Sequence, residues 1–312
     1  MIKRVTILGS GAWAFALSQA LKNVDVQMYS IEKEVIESIR THKKHPRFPV
    51  VELGNPISID EHLHKAIENA DLLIESVTSQ GFEPVVRALK ELNCQIPILI
   101  TSKGINHKGQ TLYEIAKEIG LDGVAVLSGA TFADEVLDKK TTCATIACLD
   151  PKLRAMIIRI FNNDFFFTEE SDHPIPCMLG GAMKNIYAIL CGLLEGLNYG
   201  KNARAALITK GYHEMKEFLK FRGFDPSSIE GYSGLADLIL TCSSEKSRNF
   251  QCGLNIARGM SPEEARGSVG MVVEGAFAAK AIHSVIQLPI AQIVYKILYE
   301  GYGAKQEARK IF

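Results

Sequence analysis

Six residues near the start of the chain, Gly9-Ser10-Gly11-Ala12-Trp13-Ala14, constrain its fold more than any other stretch. They come directly after an apolar run at residues 2–8 and open a segment of helix-like periodicity at residues 13–22. The pattern fits G-x-G-x-x-A, in which the first glycine permits a tight turn and the second lets a pyrophosphate approach the backbone. The small third residue lets the helix pack closely on the strand. Exposed N–H groups at the helix start then face the phosphate charge. The spacing predicts a strand–turn–helix unit that holds a dinucleotide, with Gly9, Ser10, Gly11, Ala12 and Trp13 in contact with it.

The same alternation of strand and helix patterns recurs along the first half of the chain. Apolar runs at residues 25–29, 71–77, 97–101, 124–127, 142–147 and 165–168 read as strands, with helical patterns at 83–92, 111–119 and 152–161 between them. Strands apolar on both faces that alternate with helices predict a parallel sheet covered on both sides, a doubly wound α/β domain. The character changes near His173-Pro174-Ile175-Pro176, beyond which few β-like runs remain. Residues 1–172 are therefore expected to form the dinucleotide-binding domain and residues 173–312 an all-helical substrate and catalytic domain. From Ile186, the residues Ile189, Leu190, Leu193, Leu194 and Leu197 form one apolar helical stripe. Ala188, Gly192 and Gly196 mark a second face where another element can approach closely. Ser261-Pro262-Glu263-Glu264 reads as a capped helix start.

Composition narrows the partners. Lysine plus arginine and aspartate plus glutamate each number 35, so no global basic field draws in nucleic acid. Seven cysteines occur without a Cys-x-x-Cys pair, which fits neither a zinc pattern nor a disulfide framework. They are expected to be thiols in a reducing compartment, and no metal is expected. The first apolar run is too short for a membrane span and has no small-residue cleavage site after it, so a cytoplasmic location is expected.

Several motifs then point to one family. Gly181-Ala182-Met183-Lys184-Asn185-Ile186-Tyr187-Ala188 resembles the signature helix of NAD(P)-dependent glycerol-3-phosphate dehydrogenases of bacterial type. The resemblance continues through residues 202–209, 234–242, 247–249 and 272–275, and in the first half through Ser102-Lys103-Gly104 and residues 128–133. It implies a Rossmann domain, a homodimer, NAD or NADP as cofactor, and hydride transfer between sn-glycerol 3-phosphate and dihydroxyacetone phosphate. Supply of glycerol 3-phosphate for phospholipid synthesis is the implied role.

The residue chemistry agrees with that implication. Hydride transfer to or from a secondary alcohol carbon requires a group to exchange the proton on oxygen, and Lys184 is the candidate. A neighbouring cation and burial would bring its pKa toward working pH. By resemblance Lys103 contacts substrate and cofactor and supplies that second cation, and Asp237 contacts substrate and orients Lys184. Arg248 offers a fork for the substrate phosphate and by resemblance also touches the cofactor, with Asn249, Ser247, Thr241 and Asn185 as supporting donors. Ala133 and Glu274 resemble residues near the cofactor.

The chain departs from the family pattern at Ala12, Ala14, Ala130 and Ala236, which places backbone geometry and cofactor grip in question rather than the reaction. Two other readings share these features: a two-domain dehydrogenase of hydroxyisobutyrate or ketopantoate-like acids with a catalytic lysine, and a cofactor-binding regulator without turnover. NAD is favoured over NADP, because Glu32 lies about 20 residues past the fingerprint, where an acidic side chain accepts from ribose hydroxyls.

Overall fold

The computed structural model describes residues 1–51, 54–270 and 272–312. The chain divides into two compact units, one of Met1–Ser102 with Leu112–Pro174 and one of Lys103–Thr111 with Ile175–Phe312. The sequence groups residues 103–111 with the first domain because they are contiguous with it. In the structure this segment belongs to the helical unit. Arg222 donates to the Gly109 carbonyl at 2.7 Å, Ser284 donates to the His107 carbonyl at 3.0 Å, and Ile105 packs against the helical core. The later crossing falls after Pro174 rather than after residue 172.

Among the described residues, the first unit is built on eight strands: β1 Arg4–Leu8, β2 Asp25–Tyr29, β3 Ile57–Asp60, β4 Leu72–Glu75, β5 Ile98–Ile100, β6 Val124–Ala130, β7 Thr142–Ala147 and β8 Phe166–Ser171. Their order is β3-β2-β1-β4-β5-β6-β7-β8. The chain therefore reverses its progress across the sheet at β1, which pairs in parallel with both β2 and β4. Ligands of such sheets bind outside the carboxyl ends of the strands at that switch point.

Two features depart from the expected pattern of strands. β3 has no counterpart in the apolar runs, because an edge strand buries only alternate residues, here Ile57 and Ile59. β7 runs antiparallel to β6. Only residues 131–141 separate these two strands, and a parallel return needs a crossover of about a dozen residues or more.

Among the described residues, the regular elements of the second unit are all helices, arranged around the 23-residue helix Pro174–Gly196. That helix is long and apolar enough to cross a membrane, but its most apolar 18-residue stretch is entirely buried within the protein. The predicted stripe enters the core with Ile186, Ile189, Leu190, Leu193 and Leu194 all buried. The small-residue face meets the helix Arg248–Ala257 almost backbone to backbone. A Cβ on Gly192 would lie 1.8 Å from the Phe250 carbonyl oxygen, and one on Gly253 would lie 1.8 Å from that of Ile189. Only glycine at both positions permits this crossing. Ser261 caps the helix Pro262–Ser268 in a capping box with Glu264, as its spacing predicts.

Candidate functional site

In the first unit the fingerprint residues gather at the carboxyl end of β1. Gly9 has φ +117°, and a Cβ there would sit 2.5 Å from the Ser76 carbonyl oxygen, so neither conformation nor space admits another residue. Gly11 is the N-cap of the helix Ala12–Ala20, in extended conformation with no side chain capping the helix. A Cβ at Gly11 would meet nothing within 4 Å. Its bareness leaves the N–H groups of the first turn open to an anion rather than easing any internal crowding.

Residues outside the motif hold this loop. Ser10 Oγ lies 2.6 Å from Ser30 Oγ, and His45 Nε2 lies 2.8 Å from the Ser10 carbonyl. Because His45 Nδ1 accepts from the Arg47 N–H at 3.1 Å, Nε2 carries the proton and donates to Ser10. Burial lowers the His45 pKa, which keeps the ring in this neutral form. Neither Ser30 nor His45 stands out in sequence, since the partner of each is fixed only once β1 and β2 pair.

Ala12 and Ala14 are accommodated within the helix, Ala14 fully buried. Trp13 and Ala133 both pack against the core of this unit, and Ala133 opens the helix Ala133–Leu137 after β6. Ala130 ends β6 opposite Cys143. A concavity of about 490 Å³ lies at the other end of helix Ala12–Ala20, between Lys22, Asn55, Lys139 and Phe165, and contains none of the expected site residues.

In the second unit a single carboxylate joins two lysines. Asp237 is 1% exposed; its Oδ2 accepts from Lys103 Nζ at 2.6 Å and its Oδ1 accepts from Lys184 Nζ. Thr241 Oγ1 donates to the same Oδ1 at 3.4 Å. Burial pushes the Lys184 ammonium down to about 7, the positive charge of Lys103 adds to the lowering, and Asp237 opposes both.

The local fold explains the placement. A π-helical turn, Tyr232–Ala236, delivers Asp237 to the first position of the helix Asp237–Ser243. Such turns are rare and concentrate at functional sites. Gly234 is pressed against the Ile229 carbonyl, where a Cβ would come within 2.1 Å. Ala236 has ordinary helical angles, φ −65° and ψ −41°, so this departure from the family pattern carries no backbone strain.

Arg248 opens the helix Arg248–Ala257 behind the N-cap Ser247, whose hydroxyl accepts from the Phe250 N–H at 3.3 Å. Its guanidinium is exposed, with Nη1 3.5 Å from the Val272 carbonyl. Asn249 is a buckle: Nδ2 donates to Asn185 Oδ1 at 2.9 Å, and Oδ1 accepts from the Gly275 N–H at 2.9 Å. Asn185 also donates to the Gly181 carbonyl at 3.3 Å. The supporting amides and hydroxyls are thus already tied into the scaffold, each with limited capacity left for a ligand. Glu274 begins the helix Glu274–Val285 and lines a small depression with Lys103, Ile105, Ala182 and Phe277. The seven cysteines are free thiols, five of them buried and Cys94 and Cys143 partly exposed.

Comparisons with known proteins give matches that cover nearly the whole chain. The family described as NAD-dependent glycerol-3-phosphate dehydrogenase matches in two parts, its N-terminus over residues 4–154 and its C-terminus over residues 174–309. A glycerol-3-phosphate dehydrogenase [NAD(P)+] of Chlamydia pneumoniae is 35% identical over 98% of this chain and 96% of its own length. That of Chlamydia muridarum is 36% identical over 96% of this chain and 94% of its own. The crystal structure of glycerol-3-phosphate dehydrogenase from Coxiella burnetii superposes with a TM-score of 0.93 at 28% identity, covering 99% of this chain and 98% of that one.

Proposed function

This chain belongs to the NAD-dependent glycerol-3-phosphate dehydrogenase family, and from that premise we propose that Lys184 carries the proton of its reaction. The reaction interconverts sn-glycerol 3-phosphate and dihydroxyacetone phosphate, with NAD or NADP. The observation that carries the proposal is the buried Lys103–Asp237–Lys184 cluster. When bound, the cofactor supplies or accepts the hydride, and the chain's residues handle the proton and the charge.

The residues fit such a cofactor. Gly9 and Gly11 leave a bare loop, and uncapped N–H groups at the start of helix Ala12–Ala20 suit a pyrophosphate. In the first unit Ser10, Ala12, Trp13 and Ala133 would complete that cradle; Lys103, Arg248 and Glu274 of the second unit are the cofactor residues that the family resemblance implies.

In the reducing direction Lys184 donates a proton to the oxygen of the former carbonyl, and in the oxidising direction it takes that proton back. An amine near pH 7 is matched to both tasks. Asp237 holds the ammonium in place through Oδ1, while Lys103, on Oδ2, provides positive charge for the developing oxyanion. Arg248 takes the substrate phosphate in a two-pronged grip at the helix start. Asn185, Asn249, Thr241 and Ser247 fix the frame around it.

The protein's setting is proposed from the same footing: a cytoplasmic homodimer that supplies glycerol 3-phosphate for phospholipid synthesis, supported by the relatives' activity and the free thiols. The test is absorbance at the nicotinamide band with each reduced cofactor. Dihydroxyacetone phosphate should oxidise it rapidly, and unphosphorylated dihydroxyacetone and keto acids poorly. Equal rates with a keto acid would overturn the phosphate assignment.

A further inference from the structure

Glu75 ends β4 directly after the apolar Leu72-Leu73-Ile74 and has no exposed surface. Its carboxyl closes a ring of hydrogen bonds between the ends of β4 and β5. Oε1 accepts from the Val77 N–H at 2.8 Å and stands 2.7 Å from Ser102 Oγ. Ser102 Oγ stands 2.6 Å from the Val77 carbonyl oxygen, and the Ser102 N–H approaches Oε2 at 3.4 Å. Thr101 donates to the Glu75 carbonyl from both its N–H, at 3.1 Å, and its hydroxyl, at 2.8 Å.

The proton count of this ring is decisive. Two short oxygen–oxygen contacts radiate from Ser102 Oγ, one to a carboxyl oxygen and one to a carbonyl oxygen, and the hydroxyl carries a single proton. With Glu75 ionised, one of the two contacts would set lone pairs against each other. With Glu75 protonated, the acid donates to Ser102, Ser102 donates to Val77, and both contacts are filled.

We propose that Glu75 is held as a neutral carboxylic acid and that its proton latches together the strand ends flanking the Gly9 loop, making cofactor affinity proton-dependent. This rests on the reading of residues 9–14 as the cofactor cradle. The mechanical link is Ser76, whose N–H donates to the Leu8 carbonyl at 2.9 Å and whose own carbonyl fills the space a Cβ on Gly9 would need. Anything that loosens the backbone of 75–77 loosens the turn that meets the pyrophosphate.

The surroundings offer the ionised form little support. In register, Leu8 of β1 and Ile100 of β5 flank Glu75, and the helix Ala12–Ala20 carries no ionisable residue. On the helix Ser79–Glu91, Glu83 and Arg87 are exposed and paired with each other. Lys103, next in the chain to Ser102, is bound to Asp237. Burial accordingly raises the carboxyl to about 7, against hydrogen bonds from Ser102, Val77 and Thr101 that lower it. A group with a raised pKa keeps its proton below that value and loses it above. The latch is closed in mild acid and opens as pH rises through neutrality.

The experiment is the dissociation constant for NADH, followed by nicotinamide fluorescence from about pH 6 to about pH 8.5, in the wild type and in Glu75→Gln. Glutamine is uncharged at every pH and, with its carbonyl oxygen in the place of Oε1, still accepts from the Val77 N–H, so it removes the titration and keeps that contact. The wild-type constant should rise about tenfold across that range, corresponding to a one-unit change in proton affinity on binding. The variant should bind like the wild type at the acid end and stay flat. A second readout does not depend on the substitution at Glu75 folding: with Glu214, another buried carboxyl raised to about 7, replaced by glutamine, infrared spectra should retain a protonated-carboxyl band that titrates away above neutrality. Identical pH slopes in wild type and Glu75→Gln, or absence of that band, overturn the role of Glu75 alone. Failure of both proteins to bind NADH at the acid end overturns the cofactor reading itself.

Discussion

Gly253→Ala adds one methyl group at the point where two helices touch. The new Cβ would start 1.8 Å from the Ile189 carbonyl oxygen. The shortest ordinary carbon–oxygen separation is about 3.3 Å, so the helices must part by about 1.5 Å. Gly192 faces the Phe250 carbonyl across the same crossing, so no slack is available beside it. Overpacking of this kind costs about 1–3 kcal/mol, which should appear as a fall in melting temperature of roughly 3–10 °C. The functional cost comes from geometry. Arg248 heads one of these helices and Lys184 projects from the other, so phosphate grip and proton donor move apart. A misplacement of about 1 Å can cost about 100-fold in rate. Steady-state reduction of dihydroxyacetone phosphate, beside a thermal melt, measures both. A variant with kcat/KM within twofold of wild type and an unchanged melting temperature would refute the claim that this crossing sets the site.

Arg248→Lys should raise KM for dihydroxyacetone phosphate at least tenfold while scarcely changing the poor rate with dihydroxyacetone, because a point charge replaces a fork; equal losses on both substrates would place Arg248 elsewhere. NADH should give the higher kcat/KM of the two cofactors, since exposed Glu32, its N–H bonded to Ser30 Oγ at 3.0 Å, stands just past β2 where a 2′-phosphate would be repelled; a higher value for NADPH would assign Lys33 as its partner. Glu214 caps the helix Pro289–Tyr299 by accepting from the Ile290 and Ala291 N–H groups, and burial raises it from 4.5 to about 7. The folded state therefore holds a proton that the unfolded state releases above 4.5, and its stabilisation is lost as pH rises to about 7. Glu214→Gln should gain stability relative to wild type by roughly 2–3 kcal/mol between about pH 4.5 and pH 8, read by denaturant unfolding; a constant difference would show that Glu214 does not titrate.

Much of the fold is legible in the sequence because local pattern and global architecture agree. Gly9 and Gly11 sit where a strand must turn into a helix, and Gly192 and Gly196 share a face that only close packing explains. The Asp237 segment is legible as well, since a carboxylate inside an apolar stretch needs a partner. The π-helical turn that aims it is not, because no short-range periodicity encodes an extra residue in a helical turn. β3 is hidden by its edge position, and Lys103–Thr111 by the fact that its contacts in the helical unit come from residues more than a hundred positions away. Glu75 is visible as an anomaly, a carboxylate within residues 71–77, but its meaning depends on Ser102, which only the pairing of β4 with β5 brings alongside.

Lys184 as the proton carrier is the claim on which the chemistry of this site stands. Single-turnover oxidation of NADH by dihydroxyacetone phosphate in Lys184→Met tests it directly, because methionine keeps much of the side-chain volume and removes the ionisable group. The rate should fall by about 100- to 10,000-fold with NADH affinity little changed. A fall of less than about tenfold would show that the proton travels by another route.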